Sequence, residues 1–250
     1  MDQKTEFVFA GAPDSNSAPL LDKLTEVDPR VRLVNDYPAN LVPALREGRV
    51  DVALIPTAHF LMNSDLKMLP GLGVAADGPV RSVLLKCNKR MGQIKTVERD
   101  PASATSNALA EILLRRYFKQ KIEMVDVGAD RAPDAVVMIG DRALCSEPAP
   151  EGDIDLGEAW QKWTDLPFVF SVWAVRSDFA QIDEATDIAH RAFAAGFRAM
   201  ESIAERFAEE RGRDLLFWLD YLDGAIHYLL GKDDMEGIAQ FEKHLASLKD

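Results

Sequence analysis

Asp51-Val52-Ala53-Leu54-Ile55-Pro56-Thr57 has a counterpart about eighty residues further on, Asp134-Ala135-Val136-Val137-Met138-Ile139-Gly140-Asp141. Each stretch is a short apolar run that begins after an aspartate and is broken by Pro or Gly. An alternating run marks a strand with one wet face. A continuous apolar run marks a strand buried on both faces, as in a parallel α/β sheet. Small polar residues follow each run, at the end where open α/β sheets place their ligands. Two such units predict an α/β chain of two similar lobes with a ligand cleft between them.

The flanking sequence fits that frame. Residues 7–10 and 31–34 read as strands of the first lobe, and 39–47 as a helix between them and the Asp51 strand. Residues 80–87 alternate and read as a strand leading out of that lobe. Residues 95–98 and 122–127 read as strands of the second lobe, with a helix over 107–118. The run Leu166-Pro167-Phe168-Val169-Phe170-Ser171-Val172-Trp173-Ala174-Val175-Arg176 is rich in β-formers and reads as the return. These boundaries predict a first lobe of residues 1–87 plus 177–250 and a second of 88–176, with crossover strands near 82–87 and 170–175. The remainder reads as helical. Ile188, Ala192, Phe193, Phe197, Met200, Ala204 and Phe207 keep helical spacing, and 215–230 carries Phe217, Trp218, Tyr221 and Tyr228. Such a stripe is core. The helical C-terminal tail is expected to pack on the first lobe.

Composition narrows the function. A chain of 250 residues with 47% hydrophobic content has enough apolar surface for a sizeable core. The net charge of −12 argues against a nucleic-acid partner, which would need a basic face. An anionic ligand must therefore be held by local donors. No apolar run approaches the ~18 residues of a membrane span, so no membrane partner is expected. The stretch Met1-Asp2-Gln3-Lys4-Thr5-Glu6 is acidic where a signal peptide is basic, and a cytoplasmic location is expected. Cys87 and Cys145 have no metal-type spacing and read as free thiols. His59, His190, His227 and His244 show no ligand spacing either.

Four polar clusters stand where ligands bind. Ser103-Ala104-Thr105-Ser106 opens a predicted helix, where hydroxyls and free N–H groups suit a carboxylate or phosphate; Ser and Thr also serve there simply as caps. Asn16 lies in the turn-rich loop after the first strand, with an amide able to donate and accept, or to shape the turn. Ser82 follows the turn Asp77-Gly78-Pro79. Gly140-Asp141-Arg142 follows the second echo strand: glycine lets a ligand approach the backbone, and Arg142 can grip a carboxylate or pair with Asp141.

In this order the segments resemble the menaquinone-biosynthesis family that contains chorismate dehydratase. The resemblance rests on Asn16-Ser17-Ala18-Pro19-Leu20, the Asp51 strand, Gly78-Pro79-Val80-Arg81-Ser82-Val83 and Ser103-Ala104-Thr105-Ser106. It continues through Ile139-Gly140-Asp141-Arg142-Ala143-Leu144, Asp155-Leu156-Gly157-Glu158-Ala159-Trp160, the return strand and Gly237-Ile238-Ala239-Gln240-Phe241. One departure stands at Pro13-Asp14-Ser15-Asn16, where the family carries Ser-Tyr-x-Asn and this chain has an acid in place of the tyrosine.

The resemblance implies a two-lobed fold like a type II periplasmic binding protein. It implies dehydration of chorismate, a small-molecule substrate, to 3-[(1-carboxyvinyl)oxy]benzoate on the futalosine route to menaquinone, by a carbon–oxygen lyase. Asn16 and Ser82 would be catalytic, orienting the enolpyruvyl group. Ser103, Thr105, Ser106, Gly140 and Asp141 would bind substrate. No metal or organic cofactor is expected. Two alternatives stay open: a 1,4-dihydroxy-6-naphthoate synthase-like lyase of the same pathway, and a non-catalytic protein that binds small carboxylates.

Overall fold

A computed structural model of the protein describes residues 6–129 and 132–248. The N-terminal stretch read as unlike a signal peptide lies, for residues 1–5, outside the described residues. The chain begins with strand β1 (Phe7–Gly11), helices α1 (Ala18–Leu21) and α2 (Leu24–Val27), and strand β2 (Val31–Asn35). Helix α3 (Pro38–Arg46), strand β3 (Val52–Pro56), helix α4 (Thr57–Leu61) and the long strand β4 (Leu66–Ala76) come next. Then follow β5 (Val83–Cys87), β6 (Thr96–Glu98), α5 (Ala104–Ile112), β7 (Glu123–Val125), β8 (Ala135–Ile139) and α6 (Gly140–Leu144). Strand β9 (Asp153–Asp155), helix α7 (Leu156–Thr164) and strand β10 (Phe168–Arg176) lead to helices α8 (Ile182–Arg198), α9 (Met200–Arg211) and α10 (Leu215–Leu219). Strand β11 (His227–Leu229) and helix α11 (Lys232–Ala246) complete the order.

The chain divides into two compact units. Unit 1 is Met1–Ala75 with Ser171–Gly231, and unit 2 is Ala76–Phe170 with Lys232–Asp250. Unit 1 is built on a six-stranded sheet, β11-β4-β10-β3-β1-β2, and unit 2 on a five-stranded sheet, β7-β6-β8-β5-β9. In the first sheet β1 is parallel to β2 and β3, and β10 is antiparallel to β3. In the second, β6 is parallel to β7 and β8, and β5 is antiparallel to β8 and β9.

The two aspartates that precede the echo strands have the same role. Asp51 accepts the Val8 N–H of β1 at 2.8 Å. Asp134 accepts the N–H groups of Lys95 and Thr96, at the start of β6, at 2.9 and 3.1 Å. In both units a buried carboxylate satisfies amides where the neighbouring parallel strand begins. β3 is buried along its whole length. β8 is less covered, with Val136, Met138 and Ile139 half-buried.

The structure corrects several expectations. The chain leaves unit 1 between Ala75 and Ala76, inside β4, whereas residues 82–87 lie wholly in unit 2. β4 went unread because Pro70, Gly71 and Gly73 interrupt its apolar pattern. The tail is divided. α8 to β11 belong to unit 1, but α11 groups with unit 2, not with the first lobe. There Phe241 packs edge-on against Trp160 and Phe168, with ring centroids 6.2 and 5.0 Å away. The helix expected over 215–230 runs through α10 and a π-helical stretch, Asp220–Ala225, and ends there. The rest of that span becomes β11, where His227 and Leu229 pair with Ala75 and Leu72 of β4 and Tyr228 is buried. Completing a sheet edge overrides local helical spacing. Within the helical stripe Phe197 is exposed, while Ile188, Phe193, Met200 and Phe207 are core.

Candidate functional site

Unit 2 gathers three of the sequence-predicted segments at one edge of its sheet. β6 and β8 are parallel, so their carboxyl ends point the same way. β6 leads to Asp100 and the start of α5; β8 leads to Gly140 and α6. β5 is antiparallel to β8, with Val83 opposite Ile139, so Ser82 stands at that same edge. The Gly140 N–H donates to the Ser82 carbonyl at 2.8 Å. Gly140 has φ 65°, a left-handed conformation that glycine adopts without strain.

Ser82 itself is buried and follows an unusual residue. Arg81 has φ 65° without being glycine. Asp155 holds that turn, accepting the Arg81 N–H at 2.6 Å and the Val80 N–H at 3.1 Å, and it also caps α7 through the Glu158 N–H at 3.0 Å. Burial pushes the Asp155 carboxyl up, against the backbone hydrogen bonds that draw it down.

The hydroxyl cluster at α5 is buried. Ser103 is the N-cap: its Oγ accepts the Ser106 N–H at 3.1 Å and donates to the Ser106 Oγ at 2.9 Å. The capping reading is therefore correct for Ser103, and Thr105 and Ser106 lie in the first turn. The positive end of the helix dipole adds a field that favours an anion. Asp141 is half-buried in the first turn of α6. Arg142 is 68% exposed and donates through Nη2 to Asp100 Oδ2 at 2.7 Å.

In unit 1, Asn16 sits in the helical turn Ser15–Ser17 after β1. It is half-buried, and among the described residues its amide engages no hydrogen-bond partner. Asp14, the departure noted above, lines a hollow of about 270 Å³ with Asp22, Arg206, Phe207, Glu210 and Arg211. Two guanidinium groups share that hollow with its carboxylate, and Asn16 is not part of the lining. Asp22, paired with Arg206 at 2.6 Å, is nonetheless raised by burial.

Sequence reasoning missed three polar groups. Thr57, directly after β3, is fully buried and its hydroxyl has no partner among the described residues. Its signal was its place at the end of an echo strand. Asp100 and Asn107 clasp each other: the Asp100 N–H donates to Asn107 Oδ1 at 2.9 Å, and Asn107 Nδ2 donates to the Asp100 carbonyl at 2.7 Å. Among the described residues no group of three or more His, Cys, Asp or Glu is placed to hold a metal ion.

A profile described as menaquinone biosynthesis matches residues 9–247. The chain belongs to the menaquinone-biosynthesis family. One relative, chorismate dehydratase of Thermus thermophilus, is 30% identical over 240 residues, covering 86% of each chain. Chorismate dehydratase of Campylobacter jejuni is 28% identical over 227 residues, covering 86% of this chain and 89% of its own. Solved structures share the fold at lower identity. A protein of Archaeoglobus fulgidus superposes with a TM-score of 0.74 at 16% identity, over 99% of both chains. The periplasmic aliphatic sulphonate binding protein SsuA of Escherichia coli gives 0.65 at 16% identity, over 98% of this chain and 87% of its own. This member of the menaquinone-biosynthesis family thus has the fold of the periplasmic binding proteins, as its resemblance implied. No helix among the described residues is long and apolar enough to cross a membrane.

Proposed function

We propose that the protein is a chorismate dehydratase, a hydro-lyase that converts chorismate to 3-[(1-carboxyvinyl)oxy]benzoate and water on the futalosine route. The observation that carries the reading is the meeting of Ser82, the α5 hydroxyls and Gly140 at one sheet edge in a chain of this family. The reaction removes the ring C3 proton and the C4 hydroxyl. The C–H electrons form the new C3–C4 double bond, hydroxide leaves with a proton as water, and the ring becomes aromatic. The favoured base is the substrate's own enolpyruvyl carboxylate, since the motifs offer no histidine or lysine suited to the task. The protein then has to hold that carboxylate against the C3 proton.

Asn16 and Ser82 orient the enolpyruvyl group in this scheme. Asn16 enters on its motif and on its uncommitted amide. Thr105, Ser106 and the α5 start, shaped by the Ser103 cap, bind a carboxylate. Gly140 and Asp141 border the substrate, with Asp141 reaching a hydroxyl. No step calls for a metal or organic cofactor, because the proton acceptor is in the substrate and aromatisation drives the loss of water. A cytoplasmic setting is part of the proposal.

The test is incubation with chorismate, followed by chromatography and mass detection of a product one water lighter. Asn16→Ala and Ser82→Ala should lower kcat more than they raise KM, because positioning is felt mainly in the transition state. A loss of roughly tenfold to a thousandfold corresponds to about 1.4–4 kcal/mol. Unchanged turnover in both variants would remove them from the site. Binding of chorismate without release of the dehydrated product would favour a carboxylate-binding protein instead.

A further inference from the structure

Asp100 ties two of the candidate substrate segments together. Its side chain is 1% exposed. Oδ1 accepts the Ala102 N–H at 2.9 Å, next to the Ser103 cap of α5. Oδ2 accepts the Ile139 N–H at 3.2 Å and Arg142 Nη2 at 2.7 Å, on either side of Gly140 and Asp141. The Asp100 carbonyl also accepts the Ser103 N–H at 3.3 Å. One carboxylate thus spans a sequence gap of about forty residues and fixes the α5 start against the α6 start. Asn107, reaching back from α5, holds the Asp100 backbone from the other side.

A buried carboxylate is a poor way to gain stability alone, because its desolvation offsets much of the pairing. Its strength is geometric: two oxygens in one plane fix two backbone amides and a guanidinium at set angles. We propose that Asp100 is a positioning residue for substrate binding, acting through Ile139 and Arg142 on one side and Ala102 and Ser103 on the other. This rests on the dehydratase reading. Arg142 commits one of its five N–H donors to Asp100, which aims the rest of an exposed guanidinium. A substrate whose carboxylate is held at the α5 start and whose hydroxyl is reached by Asp141 would feel any loss of that register in the ground state as well as in the transition state.

The same unit supplies a control. Asp134 is also a buried carboxylate bonded to two backbone amides, but at the opposite end of β8. The experiment compares Asp100→Asn, Arg142→Gln and Asp134→Asn in the full chain, by steady-state kinetics and by calorimetric titration with chorismate. Asp100→Asn should raise KM and weaken chorismate binding by about ten- to a hundredfold, with a smaller fall in kcat. Arg142→Gln, which keeps an N–H donor for Asp100 while removing the charge, should shift KM in the same direction. Asp134→Asn should lower the melting temperature yet leave KM within about twofold. If Asp100→Asn and Arg142→Gln leave KM and binding at wild-type values, or move them no further than Asp134→Asn does, the positioning role is overturned while the dehydratase reading stands. A wild-type protein that neither binds nor converts chorismate would overturn both.

Discussion

Asp134 shows what a single side chain contributes when an apolar strand starts beside a parallel neighbour. Lys89 at 2.6 Å, with the N–H groups of Lys95 and Thr96, holds its carboxyl down from 3.8 to about 2. A carboxyl lowered by folding contributes stability that is present above its unfolded value and is lost as pH falls through its folded value. Asp134→Asn should therefore melt below wild type near neutral pH, and the gap should close between about pH 4 and about pH 2. A gap that stays constant in melts across that range would mean that the charge contributes nothing. Asp51 and Asp134 were legible in the sequence because each punctuates an apolar run. Asp100 was not, although it bonds as many groups. Followed by Pro101 it reads as a turn, and its partners Ile139 and Arg142 are brought to it only by the pairing of β6 with β8. The Gly140 backbone gives a second residue-scale test. At φ 65° a Cβ is strained, so Gly140→Ala should cost about 1–2 kcal/mol in a urea titration, and no loss would mean the turn can relax.

At the scale of elements, the strands that stand alone as apolar runs were readable, and those made by pairing were not. β4 carries Pro70 and two glycines, and β11 borrows its strand character from the Leu72 and Ala75 edge it completes. The short helix α1 depends on a neighbour in the same way. A Cβ at Gly196 of α8 would stand on the Pro19 carbonyl oxygen, closer than real side chains come. Glycine there lets the two helices approach backbone to backbone, and α1 continues directly from the turn that holds Asn16. Gly196→Ala should lose about 1–3 kcal/mol by overpacking. It should also reduce turnover of chorismate, since the Asn16 turn must shift with α1. A variant with a wild-type urea midpoint would show that α1 has room to move. Ser103→Ala offers a milder contrast, with a loss of about 1 kcal/mol expected from the missing cap.

At the scale of the molecule, the resemblance pointed to the right fold, while the allocation of the tail went astray for a physical reason. Helical periodicity tells that a segment has an apolar face; it does not tell what covers it. The α11 face is covered within unit 2. Phe241 is 1% exposed between Trp160 and Phe168, and Gly237 lies against the Pro167 carbonyl. The chain therefore returns to unit 2 after completing unit 1, and the last fifteen-residue helix is part of the second core. Replacing a buried phenylalanine by alanine typically costs about 3–5 kcal/mol. Phe241→Ala should direct that loss to one unit, because Trp160 and Phe168 belong to the same cluster. Hydrogen exchange followed by peptide mass analysis reads the two units separately. Amides of β5, β8 and α7 should lose protection in the variant, while those of β1 and β3 keep it. Protection lost first in β1 and β3 would return α11 to the first lobe, where its sequence alone had suggested it belonged.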